Sequence, residues 1–404
     1  MLFRSPYRKK LLQGVVIVGL GLSVPQILAY AASVVAARAL NPAEFGAFGT
    51  MQGITQIGQP IGLGIQAFVA SQLIKKFSKD YKKILRYGLE ISFVVFLVNL
   101  VLSVPLSNIF QIEYLVLVLT IGAVSPFVYV STQLGIAQGK ELYIKLALIY
   151  VMFGLGRSIS AIVGLLIYPK LISVGIGFFG GTLLSALISH FVLGNGKKFW
   201  RDERIKNVST GLFKATQALL ALYVLVNIDI LIARIVLTPE QSGVYAVGML
   251  VAKIAFFMPQ AITVVMFPRM GKNESSALIY AIFGTLIIGF LYTLVGYFGS
   301  EFVVNAIGGS KYLELYDEVW LFAIEGSLFA LLQVLLYGRI AREDISVSII
   351  LWAGTLLAIF SVWFLELNQI TEVVITLIVI TTFLILISSF TEFNYRRKDS
   401  SYNN

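Results

Sequence analysis

The chain has 404 residues, 58% of them hydrophobic and 13% charged, with a formal net charge of +10. Soluble domains carry about 25% charged residues, so a chain this apolar belongs in a bilayer rather than in water. With no cysteine and one histidine, His190, it offers no disulfide or thiol chemistry and no imidazole cluster for zinc or iron, so neither a metal nor a cofactor is expected.

In chain order, the N-terminal MLFRSPYRKK precedes an apolar run and superficially resembles a signal peptide. Residues 11–37, however, are 27 consecutive uncharged positions. That run exceeds an h-region of about 7–15 residues and has no convincing cleavage site, so it reads as a retained first helix. Crossing a hydrocarbon core of about 30 Å takes about 20 apolar residues. Stretches of that kind fall near 11–37, 46–72, 87–107, 114–136, 144–168 and 171–193, and again near 212–237, 243–267, 276–298, 318–338, 346–364 and 371–390. The fold class is therefore an all-α polytopic membrane protein of about twelve transmembrane helices. The second stretch is diluted by Gln, Thr, Gly and Pro60, and reads as a helix facing something polar. Within it Gln52, Gln56 and Gln59 recur at i, i+4 and i+7, which places three amides on one face. Pro60 and Pro259–Gln260 are candidates for a broken helix lining a cavity, or for simple kinks.

The distribution of Lys and Arg tests the helix count, because cytoplasmic loops collect them. Of the 31 cations, 25 fall on the N-terminus, the tail and alternate loops, while Arg38, Lys170, Arg234 and Lys311 fall on the other side. A missed or extra helix would scramble that parity. Both termini and the basic loops are thus expected in the cytoplasm. The positive charge is explained by topology, and nucleic acid is not an expected partner.

Two segments resemble each other across the chain: ARALNPAEFGAFG from Ala37 and ARIVLTPEQSGVYA from Ala233. Arg38 corresponds to Arg234 and, after a one-residue gap, Pro42 to Pro239, Gly46 to Gly243 and Phe48 to Tyr245. A six-plus-six repeat follows, with halves of equal orientation because six is even. The expected organisation is an N-terminal six-helix lobe over 1–193, a basic cytoplasmic linker over 194–210 holding Trp200, a C-terminal six-helix lobe over 211–390, and a cytoplasmic tail over 391–404.

Gly175, Gly177 and Gly180 spell the GxGxxG of a dinucleotide fingerprint, but no βαβ unit is available inside a membrane span, and such glycines serve close helix approach. The Asn207 and Asn273 sequons fall on predicted cytoplasmic loops, where glycosylation is not expected. No serine elbow or Walker loop is present, so an ATP-driven pump or a conventional hydrolase is not supported. The informative residues are charges inside spans, each costing about 2.5–3.5 kcal/mol at a helix centre on insertion scales. These are Arg157, Asp229, Lys253 and Glu325. Asp229 and Lys253 fall at similar depth, consistent with a structural ion pair or with a cavity or coupling role; Glu325 is an alternative partner or a protonation site. Arg157 has no acid at its depth in the first half. It suits bidentate binding of a phosphate or carboxylate, or else caps helix carbonyls or pairs across lobes. His190, near a helix end, reads as a polar anchor.

With these residues in hand, the chain resembles the polysaccharide transporter family of the multidrug/oligosaccharidyl-lipid/polysaccharide exporter superfamily. The resemblance rests on ARALNPAEFGAFG, on VNIDILIARIVLTPEQSGVYAVGMLVAKIAFFMPQAITVVMFPRM, and on the twelve-helix layout. It implies a non-enzymatic flippase in the plasma membrane that carries a polyprenyl-diphosphate-linked glycan from the inner to the outer leaflet for cell-surface polysaccharide synthesis. A cationic cavity would hold the diphosphate, onto which Arg157 and Lys253 map by depth, with Gln52, Gln56 and Gln59 beside them. The implied partners are the lipid-linked glycan, membrane lipids, and glycosyltransferases or a polymerase of the same pathway. The rival within the superfamily is an ion-coupled small-molecule or multidrug exporter, in which Asp229 or Glu325 binds sodium, a proton or a cationic drug. A membrane glycosyltransferase would need catalytic acids and a sizeable outer loop, whereas the longest one expected is about residues 299–317.

Overall fold

The computed structural model describes residues 6–75, 81–194, 210–259, 275–340 and 346–402, and every regular element there is helical. The helices are α1 (Pro6–Ala39), α2 (Pro42–Lys75), α3 (Tyr81–Phe110), α4 (Tyr114–Gly122), α5 (Val124–Gly139), α6 (Tyr143–Ile167) and α7 (Leu171–Leu193). They continue with α8 (Thr210–Val236), α9 (Pro239–Phe257), α10 (Ser275–Phe298), α11 (Ser300–Ile307), α12 (Val319–Ile340), α13 (Ser346–Leu365) and α14 (Ile370–Tyr402). A 3-10 segment, Gly309–Leu315, follows α11.

Among the described residues, ten helical stretches are long and apolar enough to cross a membrane, with α4 and α5 forming one of them. The two remaining expected spans are the helices α2 and α9, which carry more polar residues; the described part of α9 ends at Phe257, short of the expected 267. Apolar side chains face outward in quantity, as with Val101 at 71% exposure, Phe290 at 65% and Trp363 at 82%. Polar ones such as Thr50, Gln133, Asp229 and Glu325 are buried. Contiguous apolar surface on this scale is unfavourable in water and is met by lipid. The chain is a multi-pass membrane protein.

By contacts the chain divides into two compact units, residues 1–40 with 54–216, and residues 41–53 with 217–404. Expected linker residues 195–209, including Trp200 and the Asn207 sequon, lie outside the described residues, as do Asn273 and Gln260.

In the first unit α6 packs on α1 and α7, and α3, α4, α5 and α7 pack on one another. Its core gathers Leu134, Ile136, Ile149 and Leu193. The later half of α2 is tied in by Gln66, whose Nε2 donates to Gln138 Oε1 at 2.8 Å and which accepts at Oε1 from the Tyr150 hydroxyl at 3.1 Å. The membrane span of α4 and α5 is interrupted at Ala123, a break not expected from the sequence. Proline explains its place. Pro126 is the third residue of α5, where its missing N–H is one of the unpaired donors of a helix start. The α3 side chains satisfy the loosened backbone: Asn99 Nδ2 donates to Ile121 O at 3.1 Å, and Ser92 Oγ to Ser125 O at 2.7 Å. At the candidate sites for a break or a kink, α2 runs through Pro60 uninterrupted and α9 ends two residues before Pro259. A buried proline within a long span keeps its helix when neighbouring groups take up the freed carbonyl.

In the second unit α12 is central, packing on α9, α10 and α14. The matched segments of the repeat begin α2 and α9 with the same device. Asn41 Oδ1 accepts from Glu44 N at 2.8 Å and Thr238 Oγ1 from Gln241 N at 3.2 Å, with Pro42 and Pro239 as the first helical residues. These starts also touch at their own equivalents. A Cβ on Gly46 would lie 2.8 Å from Gly243 N, and one on Gly49 would lie 2.9 Å from Ala246 Cβ. Residues meeting their own counterparts is the pattern of a local two-fold axis. The expected 299–317 loop is largely helical, and its Tyr312 is fully buried with its ring edge-on to Phe45 at 5.9 Å.

Candidate functional site

Two polar constellations are buried among apolar helices, one in each unit. The first is built on the α6–α7 contact. A Cβ on Gly156 would come within 2.6 Å of the Gly181 carbonyl oxygen, and one on Gly181 would overlap the Gly156 carbonyl oxygen. Only glycine allows such a backbone approach. Arg157 follows Gly156, and Phe178 lies one turn before Gly181 on the facing helix. The contact therefore sets the Arg157 guanidinium carbon over the Phe178 ring, 4.5 Å from its centroid, well inside the roughly 6 Å reach of a cation–π interaction.

Arg157 also borders a cavity of about 10 Å³, room for about one water. Its polar lining is Thr55 and Gln59 of α2, Arg157, and Thr182 of α7; Ala123 and Val124 at the α4–α5 break form an apolar wall. The interrupted α4–α5 span and the uninterrupted α2 thus line this cavity together. Thr182 is held by donating its hydroxyl to Phe178 O at 2.6 Å. Among the described residues no carboxylate pairs with Arg157 and no side chain hydrogen-bonds it. Its planar fork of five N–H donors is therefore unspent, and that fork matches the oxygens of phosphate or carboxylate.

The second constellation lies where α8, α9 and α12 meet. Asp229 is 2% exposed and Glu325 fully buried; each is within electrostatic range of the other. Lys253 is in range of Asp229, and the buried Tyr245 is in range of both acids. The level of Lys253 and Glu325 is matched by backbone contact, since a Cβ on Gly326 would overlap Ala252 O. One turn away, Tyr245 meets Phe322 edge-on at 5.0 Å, and a Cβ on Gly248 would run into the same ring. Among the described residues, both Glu325 oxygens, Asp229 Oδ1 and the Tyr245 hydroxyl have no hydrogen-bond partner. Two carboxyls and a phenol lie within electrostatic range of one another, and Lys253 is in range of one of the carboxyls; such an oxygen-rich arrangement suits a proton or a small cation. Among the described residues no group of three or more His, Asp or Glu is placed to hold a metal ion.

Of the residues singled out from sequence, the structure brings Arg157 and Gln59 together, and separately Asp229, Lys253 and Glu325. Gln56 is half-buried in the first unit and does not line the Arg157 cavity; Gln52 is buried in the segment that groups with the second unit. His190 accepts or donates at Nδ1 with the Tyr129 hydroxyl at 3.0 Å, away from the cavity lining. Sequence reasoning missed Thr55, Thr182, Phe178 and Tyr245. Thr55 shared the i, i+4 face of Gln59 and was within reach of that reasoning. Phe178 and Thr182 show no signal in an apolar run.

No family model matches the chain, and no curated protein matches it. Solved structures do match in fold. A multidrug resistance MATE family transporter of the MOP superfamily, in an inward-facing conformation, aligns at 15% identity and TM-score 0.66, covering 95% of this chain and 98% of that one. The lipid II flippase MurJ, inward closed, aligns at 13% identity and TM-score 0.69 over 93% of this chain and 87% of that one. A MOP superfamily transporter from Pyrococcus furiosus, described as having a binding pocket of reverse polarity, aligns at 14% identity and TM-score 0.65 over 100% and 98%. The chain has the fold of these transporters.

Proposed function

We propose that this chain is a non-enzymatic flippase of the plasma membrane, with both termini cytoplasmic. It carries a lipid-linked oligosaccharide, whose glycan is joined to a polyprenyl carrier through a diphosphate, from the inner to the outer leaflet for cell-surface polysaccharide synthesis. Glycosyltransferases or a polymerase of the same route supply and consume the substrate. The fold likeness to both drug transporters and a lipid II flippase supports transport of one of these kinds. The observation that carries the anionic headgroup is Arg157: a guanidinium inside a membrane helix, stacked on Phe178, with Gln59, Thr55 and Thr182 beside it and no carboxylate partner among the described residues. A guanidinium spent on no structural pair is an expensive residue to keep in a membrane, and a diphosphate repays that cost through bidentate, charge-assisted bonds. A cavity of about 10 Å³ does not admit a diphosphate. The headgroup engages Arg157 only when the cavity widens, as in the rocking of one half of a transporter against the other, while the lipid tail stays in the bilayer.

A second reading, an ion-coupled exporter of small molecules, is favoured by the Asp229–Glu325–Tyr245 cluster. The two readings are compatible at the level of driving force, with the cluster taking a proton or small cation and the Arg157 cavity the cargo. The test is surface export of the lipid-linked glycan in cells that depend on this protein. Arg157→Ala abolishes export with the protein still inserted, and Arg157→Lys, which keeps the charge but not the fork, retains part of it. Normal export by the alanine variant contradicts the headgroup role.

A further inference from the structure

The geometry points to Phe178 as a positioning residue that presents the Arg157 guanidinium edge-first to a phosphate; this inference rests on the headgroup reading above and adds a residue to it. A guanidinium has two kinds of surface, a π face and a donor edge, and they are used independently. Stacking over Phe178 occupies the face and leaves the N–H donors of the edge free. Arg otherwise has extensive rotamer freedom, which binding an anion must quench. A ring already beneath the guanidinium removes part of that loss in advance.

The platform is fixed from three sides. Phe178 is 2% exposed. The Gly156–Gly181 backbone contact sets the spacing of α6 and α7 at this level. The Thr182 hydroxyl bonds the Phe178 carbonyl, one helical turn back, so the residue carrying the ring and the polar group lining the cavity are tied to each other. The cavity lining also includes Gln59 and Thr55, whose amide and hydroxyl are neutral groups able to hydrogen-bond a phosphate without cancelling the charge of Arg157. An aromatic ring is the one neighbour that stabilises a cation in an apolar site without competing for the anion, whereas a carboxylate there would consume the fork.

The test uses the purified full-length protein and farnesyl diphosphate as a soluble prenyl-diphosphate probe, with binding measured for variants that are monodisperse and unfold at the wild-type temperature. Phe178→Leu and Phe178→Met, which keep apolar volume and remove the π face, weaken binding about three- to tenfold, while Phe178→Tyr stays within about twofold of wild type. In an Arg157→Ala background Phe178→Leu has no further effect, because the ring acts through the guanidinium. Wild-type binding by the leucine and methionine variants, with binding lost in Arg157→Ala, overturns the platform and leaves the headgroup reading standing. Equal weakening by Phe178→Leu in both backgrounds also overturns it, marking a purely structural ring. Wild-type binding by Arg157→Ala overturns the headgroup reading, and the platform with it.

Discussion

Glu325 and Lys253 sit at the same level of touching helices, yet removing their charges has opposite consequences. Glu325 is fully buried, both its oxygens have no hydrogen-bond partner among the described residues, and the like charge of Asp229 is within electrostatic range. Glu325→Gln keeps the shape and removes a buried acid, so the unfolding temperature holds or rises, while dependence of transport on an ion gradient is lost. Lys253 is half-buried and in electrostatic range of Asp229. Lys253→Met leaves that acid uncompensated and destabilises the protein by about 1–3 kcal/mol, read as a lower unfolding temperature in detergent. A fall in stability for Glu325→Gln equal to that of Lys253→Met would contradict this account of the cluster. At this scale the charged residues were legible because a charge in a 20-residue apolar run is conspicuous. Their neutral partners were not. Phe178 is one of 29 phenylalanines and Tyr245 one of 19 tyrosines, and what distinguishes them is a neighbour on another helix. Gln52, Gln56 and Gln59 share a helical face, but a long helix presents one face to different surroundings along its length, so only Gln59 reaches the cavity.

The helices themselves follow from hydropathy, and their close approaches from glycine. Gly243 is the sharpest case, since a Cβ there would overlap the Pro42 carbonyl oxygen where the starts of α2 and α9 meet. Gly243→Ala therefore destabilises by about 1–3 kcal/mol through overpacking. Gly19 on α1 has nothing within 4 Å of a built Cβ, so Gly19→Ala is neutral or stabilising by up to about 1 kcal/mol. Unfolding temperatures of the two variants check the contrast; equal behaviour would show that the close approach is not tight in the folded protein. The all-helical class and the ten apolar spans among the described residues were legible because each depends on local composition. The α4–α5 break was not. Pro25, Pro60 and Pro105 lie inside uninterrupted helices, whereas Pro126 lies beside a break at which Asn99 and Ser92 of α3 donate to the carbonyls of Ile121 and Ser125. Likewise the grouping of residues 41–53 with the second unit depends on contacts with α9 that lie about 197 residues away in sequence.

The whole molecule makes two claims, an orientation and a cargo. Orientation was read from the side on which 25 of 31 cations fall. The absence of native cysteine makes it directly testable, since any introduced thiol is the sole one. Lys170→Cys and Lys311→Cys react with a membrane-impermeant maleimide added to intact cells, and Lys198→Cys and Arg342→Cys react only after the membrane is opened. The reverse pattern contradicts both the topology and the direction of transport proposed from it. The cargo is tested most directly by translocation in proteoliposomes holding the purified protein, with a fluorescent polyprenyl-diphosphate-linked sugar and the matching polyprenyl glycoside that lacks the diphosphate. Wild-type protein is expected to move the diphosphate-linked lipid between leaflets and Arg157→Ala is not, and neither is expected to move the phosphate-free lipid. Movement of both lipids alike, or undiminished movement by Arg157→Ala, would contradict it.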